Sequence, residues 1–170
     1  MIESHLVYLG LGSNINREHY LSQGLATLRQ RFGHLDVSPV YESEALGFNG
    51  PRFYNFVVEL QTDLDLASLL VQLKQIEFDF DRPADAKKKA SRTLDIDILF
   101  FDNLVCNSPC ELPRGEVLKN AFVLKPLFDI AAQFIHPITQ HSIAWHWDNY
   151  DQQSQALTRV DATFLEETNS

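Results

Sequence analysis

The chain has 170 residues, 45% of them hydrophobic, and a net charge of −9. This length and composition predict one globular domain that buries its own core, and they exclude wholesale disorder. The acidic balance and the lack of a basic stripe argue against a nucleic-acid groove, so we predict no nucleic-acid partner. No apolar stretch is long enough to span a bilayer, and the N-terminus does not resemble a signal peptide. We therefore expect no membrane partner and a cytoplasmic location, and we also expect a monomer.

Alternating or continuous apolar runs predict four strands, and apolar residues at helical spacing predict two helices between them. In chain order the predicted elements are a strand over 6–11, a helix over 17–32, strands over 35–42 and 53–61, a helix over 65–81 and a strand over 94–101. The order βαββαβ predicts an α+β, ferredoxin-like core, in which a four-stranded antiparallel sheet carries both helices on one face. We expect C-terminal additions near 122–132, one domain over 1–150, and a polar, loosely ordered tail over 151–170.

Two polar segments without clear periodicity interrupt these elements. The first, 44–52, contains the hinge-like residues Gly47 and Gly50, and the second covers 83–91. Because both lie beside the candidate chemistry, we expect them to act as lids.

The segment Arg92-Thr93-Leu94-Asp95-Ile96-Asp97 is the strongest candidate for chemistry. On a strand, Asp95 and Asp97 point to one face while the apolar residues between and beside them point to the core. Two carboxylates held close together repel each other, unless a hard cation such as Mg²⁺ lies between them. Two such ions could bridge the oxygens of a triphosphate, with Arg82, Arg92 and the lysines 87–89 as local cations. A solvated strand face beside a charged loop is an equally compatible interpretation.

Phe53 and Asn55 share one face of the third predicted strand. A flat ring beside a carboxamide can stack on a heteroaromatic ligand and bond its edge, although such a pair is more often ordinary sheet surface. The tripeptide Gly12-Ser13-Asn14 ends the first strand; it could bring backbone N–H groups close to a ligand, but is more often only a turn.

The histidines near the C-terminus and the two cysteines are residue types that can bind metals, but their spacing does not indicate a metal site. His136, His141 and His146 are spaced by five residues, which distributes them around a helix and onto alternate faces of a strand, so we predict no metal site there. Cys106 and Cys110 are predicted to be free thiols, with a disulfide between them as the less favoured alternative.

Together these motifs resemble the 6-hydroxymethyl-7,8-dihydropterin pyrophosphokinase family of folate biosynthesis. The residues that carry the resemblance are Leu11-Gly-Ser-Asn14, Tyr41-Glu-Ser-Glu-Ala-Leu-Gly47, Phe53-Tyr-Asn55, Glu77 with Arg82, Arg92-Thr-Leu-Asp-Ile-Asp-Ile98 and Phe122-Val-Leu-Lys-Pro-Leu-Phe-Asp-Ile-Ala-Ala132. The resemblance implies a ferredoxin-like fold and transfer of the pyrophosphoryl group of ATP to the pterin's hydroxymethyl oxygen, with release of AMP. It also implies two Mg²⁺ ions bound with ATP.

The resemblance implies a role for each of twelve residues. The metal ligands would be Asp95 and Asp97, which with Arg82 and Arg92 form the catalytic set. The ATP site would comprise Glu77, Arg82, Arg92, Arg114 and Lys119. The pterin site would comprise Ser43, Leu46, Phe53, Asn55 and Phe122, with the two phenylalanines on either side of the ring and Asn55 bonding its edge.

The sequence departs from the family at the nucleotide clamp. Arg114-Gly115 replace a usual histidine, Asn120 and Ala84 replace usual arginines, and Ala90-Ser91 replace a usual Gly-Pro. Arg114, Lys119 and the lysines 87–89 would compensate only in part, because lysine lacks the bidentate fork of arginine.

Two other functions therefore stay open at this stage. One is a divergent paralogue that binds pterin and nucleotide with little transfer. The other is an unrelated metal-dependent nucleotidyltransferase, in which a Gly-Ser pair would lie much closer to the two acids.

Overall fold

The computed structural model describes residues 4–81 and 91–166, which form a six-stranded antiparallel sheet flanked by helices. The strands are β1 (His5–Ser13), β2 (Asp36–Val37), β3 (Val40–Ser43), β4 (Phe53–Thr62), β5 (Asp95–Phe101) and β6 (Thr158–Val160). The helices are α1 (Arg17–Phe32), α2 (Leu66–Asp79), α3 (Glu116–Lys119), α4 (Ala121–Ala131) and α5 (Ile143–Asp148), followed by a 3₁₀ turn at Thr163–Leu165. The sheet order is β5-β1-β4-β3-β6, and β2 also pairs with β4. The predicted antiparallel α+β class is confirmed.

The sheet has six strands rather than the four of the predicted core. One reason is that the strand predicted over 35–42 is divided into β2 and β3 at Ser38 and Pro39. Pro39 has no N–H to donate to a ladder. Ser38 keeps one backbone bond to β4, from its N–H to the carbonyl oxygen of Val57 at 2.9 Å, but its hydroxyl oxygen rather than a backbone carbonyl accepts the Val57 N–H, also at 2.9 Å.

The sheet buries an apolar layer on each of its two faces. Val7, Leu9 and Leu11 of β1 pack in one layer with the apolar stripes of α1 and α2, as predicted for the two helices. On the other face, Tyr8 packs with apolar residues of α4 such as Leu127. Helices therefore cover both faces, because the C-terminal addition forms a complete second layer. Among the described residues, no helix is long and apolar enough to cross a membrane.

The C-terminal segment completes the sheet, which corrects the expectation of a loosely ordered tail for residues 158–165. In β6, Val160 pairs with Val40 of β3. Phe164 and Leu165 then join the core beneath α1, and the Phe164 ring stacks on Tyr54 with centroids 5.9 Å apart. The backbone of β6 thus covers an edge of β3 that would otherwise be open, and the apolar side chains that follow anchor this segment to the core.

His136 is a buried, neutral structural histidine in the loop between α4 and α5. Its Nδ1 accepts the backbone N–H groups of Ile138 (3.2 Å) and Thr139 (3.3 Å), and its ring meets the edge of Phe100. Burial, with a smaller contribution from His146, lowers the pKa of His136 to about 4. Protonation would place a hydrogen on Nδ1, which already accepts two backbone N–H groups, so the fold favours the neutral ring.

We predict that stability falls as the pH is lowered from 7 towards 4. The pKa of His136 is about 4 in the fold against 6.5 ordinarily, so the unfolded chain binds more protons in this window. The loss should be on the order of 2 kcal/mol. Urea unfolding of the parent protein and of His136→Asn, which keeps an acceptor but cannot be protonated, would measure it. The variant should lose less stability, with a residual slope from His146, whose pKa is also lowered; equal slopes would contradict the assignment.

Candidate active site

A cleft of about 860 Å³ lies between α4 and the face of the sheet that α4 covers. It continues past the edge strand β5 to residues of α2. It is lined by eleven of the twelve site residues predicted from the sequence, namely Ser43, Leu46, Phe53, Asn55, Glu77, Arg92, Asp95, Asp97, Arg114, Lys119 and Phe122. The twelfth, Arg82, lies outside the described residues, as do Lys87–Lys89 and most of the predicted 83–91 lid. The fold thus brings together residues that are up to about eighty positions apart in the chain.

Strand pairing builds the floor of this cleft from three neighbouring strands. Gly12 of β1 pairs with Asn55 of β4 on one side and with Asp95 of β5 on the other. Two residues earlier, Gly10 pairs with Asp97. A Cβ added to Gly12 would lie 2.8 Å from the Asn55 Oδ1 atom, closer than a Cβ can approach such an oxygen. Glycine at this position therefore leaves room for the Asn55 carboxamide to lie against the backbone of β1.

Asn55 is fixed in this floor by its neighbours on two strands. Its amide Nδ2 donates to the Ser43 hydroxyl oxygen at 2.9 Å, and its Oδ1 atom faces Gly12. Phe53 lines the cleft two residues earlier on β4, and Phe122 lines it from the first turn of α4. Two aromatic rings and an oriented carboxamide are groups that can hold a heteroaromatic ring and bond its edge.

Asp95 and Asp97 bring two carboxylates to the same part of the cleft. Ile96 between them is buried in the core, which fixes the two acids on the opposite side of β5. Burial and the neighbouring Asp95 carboxylate raise the pKa of Asp97 well above its usual value, and the Arg114 guanidinium opposes this rise. The arrangement concentrates negative charge where a divalent cation would relieve the repulsion.

Glu77 supports this acidic pair from α2. Its buried carboxylate accepts the backbone N–H of Ile96 at 2.8 Å. Because β5 is an edge strand, this N–H has no partner strand on that side. Glu77, predicted to bind ATP, lines the cleft and at the same time fixes the strand that carries Asp95 and Asp97.

Cationic groups lie on the same side as the two acids. The Arg114 guanidinium approaches Asp97 Oδ1 at 3.6 Å and Glu116 Oε1 at 3.1 Å. These carboxylates outweigh the effect of burial and raise the pKa of Arg114, so it remains a fixed positive charge. Arg92 and Lys119 complete the described set that the sequence predicted. A polyanion would thus find positive charge beside the acidic pair of an otherwise acidic protein.

The prediction from sequence missed several residues that line the cleft. Lys74 of α2 adds a cation, and Leu70 adds an apolar contact. Both belong to one helical stripe with Glu77, at positions i, i+4 and i+7, so helical spacing could have identified them. Cys110 and Pro109 reach the cleft from the loop after β5, a placement without a sequence signal. Cys110 and Cys106 are free thiols.

Comparison with known proteins identifies the family. Residues 8–132 match the profile described as 7,8-dihydro-6-hydroxymethylpterin-pyrophosphokinase. The chain is 36% identical over 135 residues to the 2-amino-4-hydroxy-6-hydroxymethyldihydropteridine pyrophosphokinase of Aquifex aeolicus. This match covers 78% of the present chain and 84% of the relative. The chain is also 36% identical over 151 residues to the folic acid synthesis protein fol1 of Pneumocystis carinii. That match covers 86% of this chain but only 20% of the relative.

Solved structures show the same fold. A Plasmodium falciparum HPPK-DHPS crystallised with pteroate superimposes with a TM-score of 0.71 at 15% sequence identity. The match covers 86% of this chain, which spans 42% of the length of that one. The profile match over most of the chain, with the Aquifex relative at similar length, is decisive: the chain belongs to the 7,8-dihydro-6-hydroxymethylpterin-pyrophosphokinase family.

Proposed function

We propose that this protein transfers the pyrophosphoryl group of ATP to the hydroxymethyl oxygen of 6-hydroxymethyl-7,8-dihydropterin and releases AMP, as a step of folate biosynthesis. The observation that carries the proposal is one cleft in which an aromatic and carboxamide pocket adjoins paired carboxylates and cations. The similarity to the Aquifex pyrophosphokinase supports the same reaction. We also propose that the catalytic unit is a monomer, since the aromatic pocket, the paired carboxylates and the cations already share one cleft of a single chain.

The pterin would lie beside Asn55, between the rings of Phe53 and Phe122. Asn55 would bond the polar edge of the ring, in an orientation that its bond to Ser43 maintains. Leu46 would add an apolar contact from the segment between β3 and β4. This pocket would direct the hydroxymethyl group towards the acidic pair, and holding both reactants in place is a large part of catalysis in phosphoryl transfer.

Asp95 and Asp97 would hold Mg²⁺, two ions in our proposal. The donor set fits, because hard carboxylate oxygens suit Mg²⁺, and because burial and the adjacent Asp95 carboxylate both raise the pKa of Asp97, a cost that a bound cation would offset. Within the described residues no group of three or more acidic, histidine or cysteine side chains is placed to hold a metal. Substrate oxygens and water would thus complete the coordination. When bound, the ions would neutralise the triphosphate and orient it for attack.

Arg92, Arg114, Lys119 and, outside the described residues, Arg82 would bind the phosphates. Arg114 stands where the family usually has a histidine, and it supplies a permanent charge at the position that this histidine would occupy. We propose that it replaces part of the nucleotide clamp and that turnover is lower than in relatives with the full clamp. A paralogue that only binds its ligands is not favoured, because the acidic pair and Arg114 lie together in the pterin cleft.

Asp97→Ala should abolish the reaction while leaving the protein folded. Removing this carboxylate also removes its repulsion with Asp95, so the melting temperature should not fall. We expect AMP release from ATP, with 6-hydroxymethyl-7,8-dihydropterin and Mg²⁺, to drop by at least about 100-fold. Asp63→Ala is the matched control, because Asp63 is exposed and outside the cleft lining. Unchanged turnover of Asp97→Ala would remove the proposed metal role.

Phe122→Ala should weaken pterin binding through lost stacking and burial. We expect the dissociation constant for 6-hydroxymethyl-7,8-dihydropterin, measured by calorimetry with a non-hydrolysable ATP analogue present, to rise by the equivalent of about 1–3 kcal/mol. Phe78→Ala is the control, because that ring is 48% exposed on α2 and does not line the cleft. An unaltered dissociation constant in Phe122→Ala would mean that the pterin lies elsewhere.

A further inference from the structure

Asn14 follows β1 directly and is 4% exposed, with its carboxamide bonded on both sides. Its Oδ1 atom accepts the backbone N–H of Arg92 at 2.7 Å. Its Nδ2 group donates to the carbonyl oxygen of Pro51 at 3.0 Å and to the hydroxyl oxygen of Ser91 at 3.2 Å. One side chain therefore joins three parts of the chain: the end of β1, the segment before β4 and the segment before β5.

The two segments that Asn14 joins form different walls of the cleft. Residues 44–52 contribute Leu46 and Phe48 to the pocket assigned to the pterin. Arg92 belongs to the wall assigned to the phosphates and leads into the acidic pair. The walls are in close contact beside Asn14, because a Cβ added to Gly50 would lie 3.3 Å from the Ser91 hydroxyl oxygen.

We propose that Asn14 is a positioning residue that holds both walls in register with the glycine floor of β1. The names given to the two walls rest on the proposed function; the link between them does not. The position requires an acceptor towards Arg92 and a donor towards Pro51 and Ser91, and a carboxamide supplies both. An aspartate of the same shape would keep the acceptor towards Arg92 and could accept from the Ser91 hydroxyl, but it has no N–H to donate to the Pro51 carbonyl oxygen and would face it with a charged oxygen.

The segment 44–52 has a second attachment, which allows the role of Asn14 to be tested in a folded protein. Arg17 donates to the carbonyl oxygen of Arg52 at 2.9 Å, at the point where the segment enters β4. Loss of the Asn14 bonds should therefore loosen residues 46–51 while β4 and the rest of the sheet stay paired. The ion pairs of Arg52 with Glu42 and Glu44, at 3.7 Å each, involve a largely exposed arginine and add little.

Limited digestion of the ligand-free protein with chymotrypsin tests the link without any substrate, because Phe48 lies inside the segment that should loosen. In Asn14→Asp, we expect cleavage after Phe48 to be about tenfold faster or more, while the Arg92 N–H, which keeps its acceptor, exchanges its hydrogen within about twofold of the parent. In Asn14→Ala, both cleavage after Phe48 and exchange at Arg92 should be faster. Asn16→Asp is the matched control, because it adds the same charge at an exposed position whose side chain makes no capping bond to α1. It should match the parent in both measurements.

Ligand binding then tests the consequence for the site. Asn14→Asp should weaken binding of 6-hydroxymethyl-7,8-dihydropterin about tenfold, while α,β-methylene-ATP with Mg²⁺ binds within about twofold of the parent. Asn14→Ala should weaken binding of both ligands. A residue that served stability alone would lower the melting temperature of both variants without this difference between the two ligands.

Ser91→Ala provides a second test should Asn14→Asp fail to fold. It removes the hydroxyl that accepts from Asn14 and lies against Gly50, so cleavage after Phe48 should rise about two- to threefold. Parent-like cleavage in Asn14→Asp, or in Ser91→Ala if that variant alone folds, would overturn the proposal. A parent protein that binds no pterin, with cleavage altered as expected, would refute the proposed function and leave the link between the walls intact.

Discussion

The site depends on the antiparallel pairing of β1 with β4 on one side and with β5 on the other. Because side chains alternate along a strand, the register places Asn55, Gly12 and Asp95 in one row across one face of the sheet. A shift of one residue in either pairing would turn these side chains into the opposite, apolar layer. The carboxamide that would bond a pterin and the carboxylates that would hold Mg²⁺ are therefore positioned by the same ladder of backbone hydrogen bonds.

Placing charge at this ladder requires support from the rest of the fold. Asp95 and Asp97 lie on an edge strand, which has no partner strand on its outer side, and their carboxylates are partly shielded from water. Glu77 supplies the missing hydrogen-bond acceptor for the Ile96 N–H. Arg114 supplies a positive charge close to the Asp97 carboxylate. Burial and the Asp95 carboxylate raise the pKa of Asp97 even though this guanidinium opposes the rise. The protein thus carries a local excess of negative charge suited to a metal–triphosphate complex, although its own net charge is already −9.

The two helical layers have different tasks. The layer of α1 and α2 fills one face and, through Glu77, fixes the edge strand. The layer of α4 covers the other face where β1 carries Tyr8, and it leaves a cleft where β1 carries glycines. Phe122 lies at this boundary, so one helix both closes the core and contributes an aromatic ring to the cleft. The C-terminal strand completes the opposite edge of the sheet, away from the acidic pair.

The sequence by itself determined the features that depend on local periodicity. Alternation along β5 predicted that Asp95 and Asp97 share a face. Apolar spacing located α1 and α2, and the motifs in the sequence resembled one family. Patterns of this kind span a few residues, so they survive without knowledge of packing. The described site residues that these motifs named all lie in one cleft.

Only the tertiary structure decided the contacts between distant segments. The bond of Glu77 to Ile96, the bonds of Asn14 to Pro51 and Arg92, and the pairing of β6 with β3 each join residues far apart in sequence. None of these contacts produces a recognisable sequence pattern, since an asparagine or a short apolar run that makes such a contact looks the same in the sequence as one that does not. The reason is physical: a buried donor or acceptor must find a partner, and packing alone decides which distant group comes within about 3 Å of it.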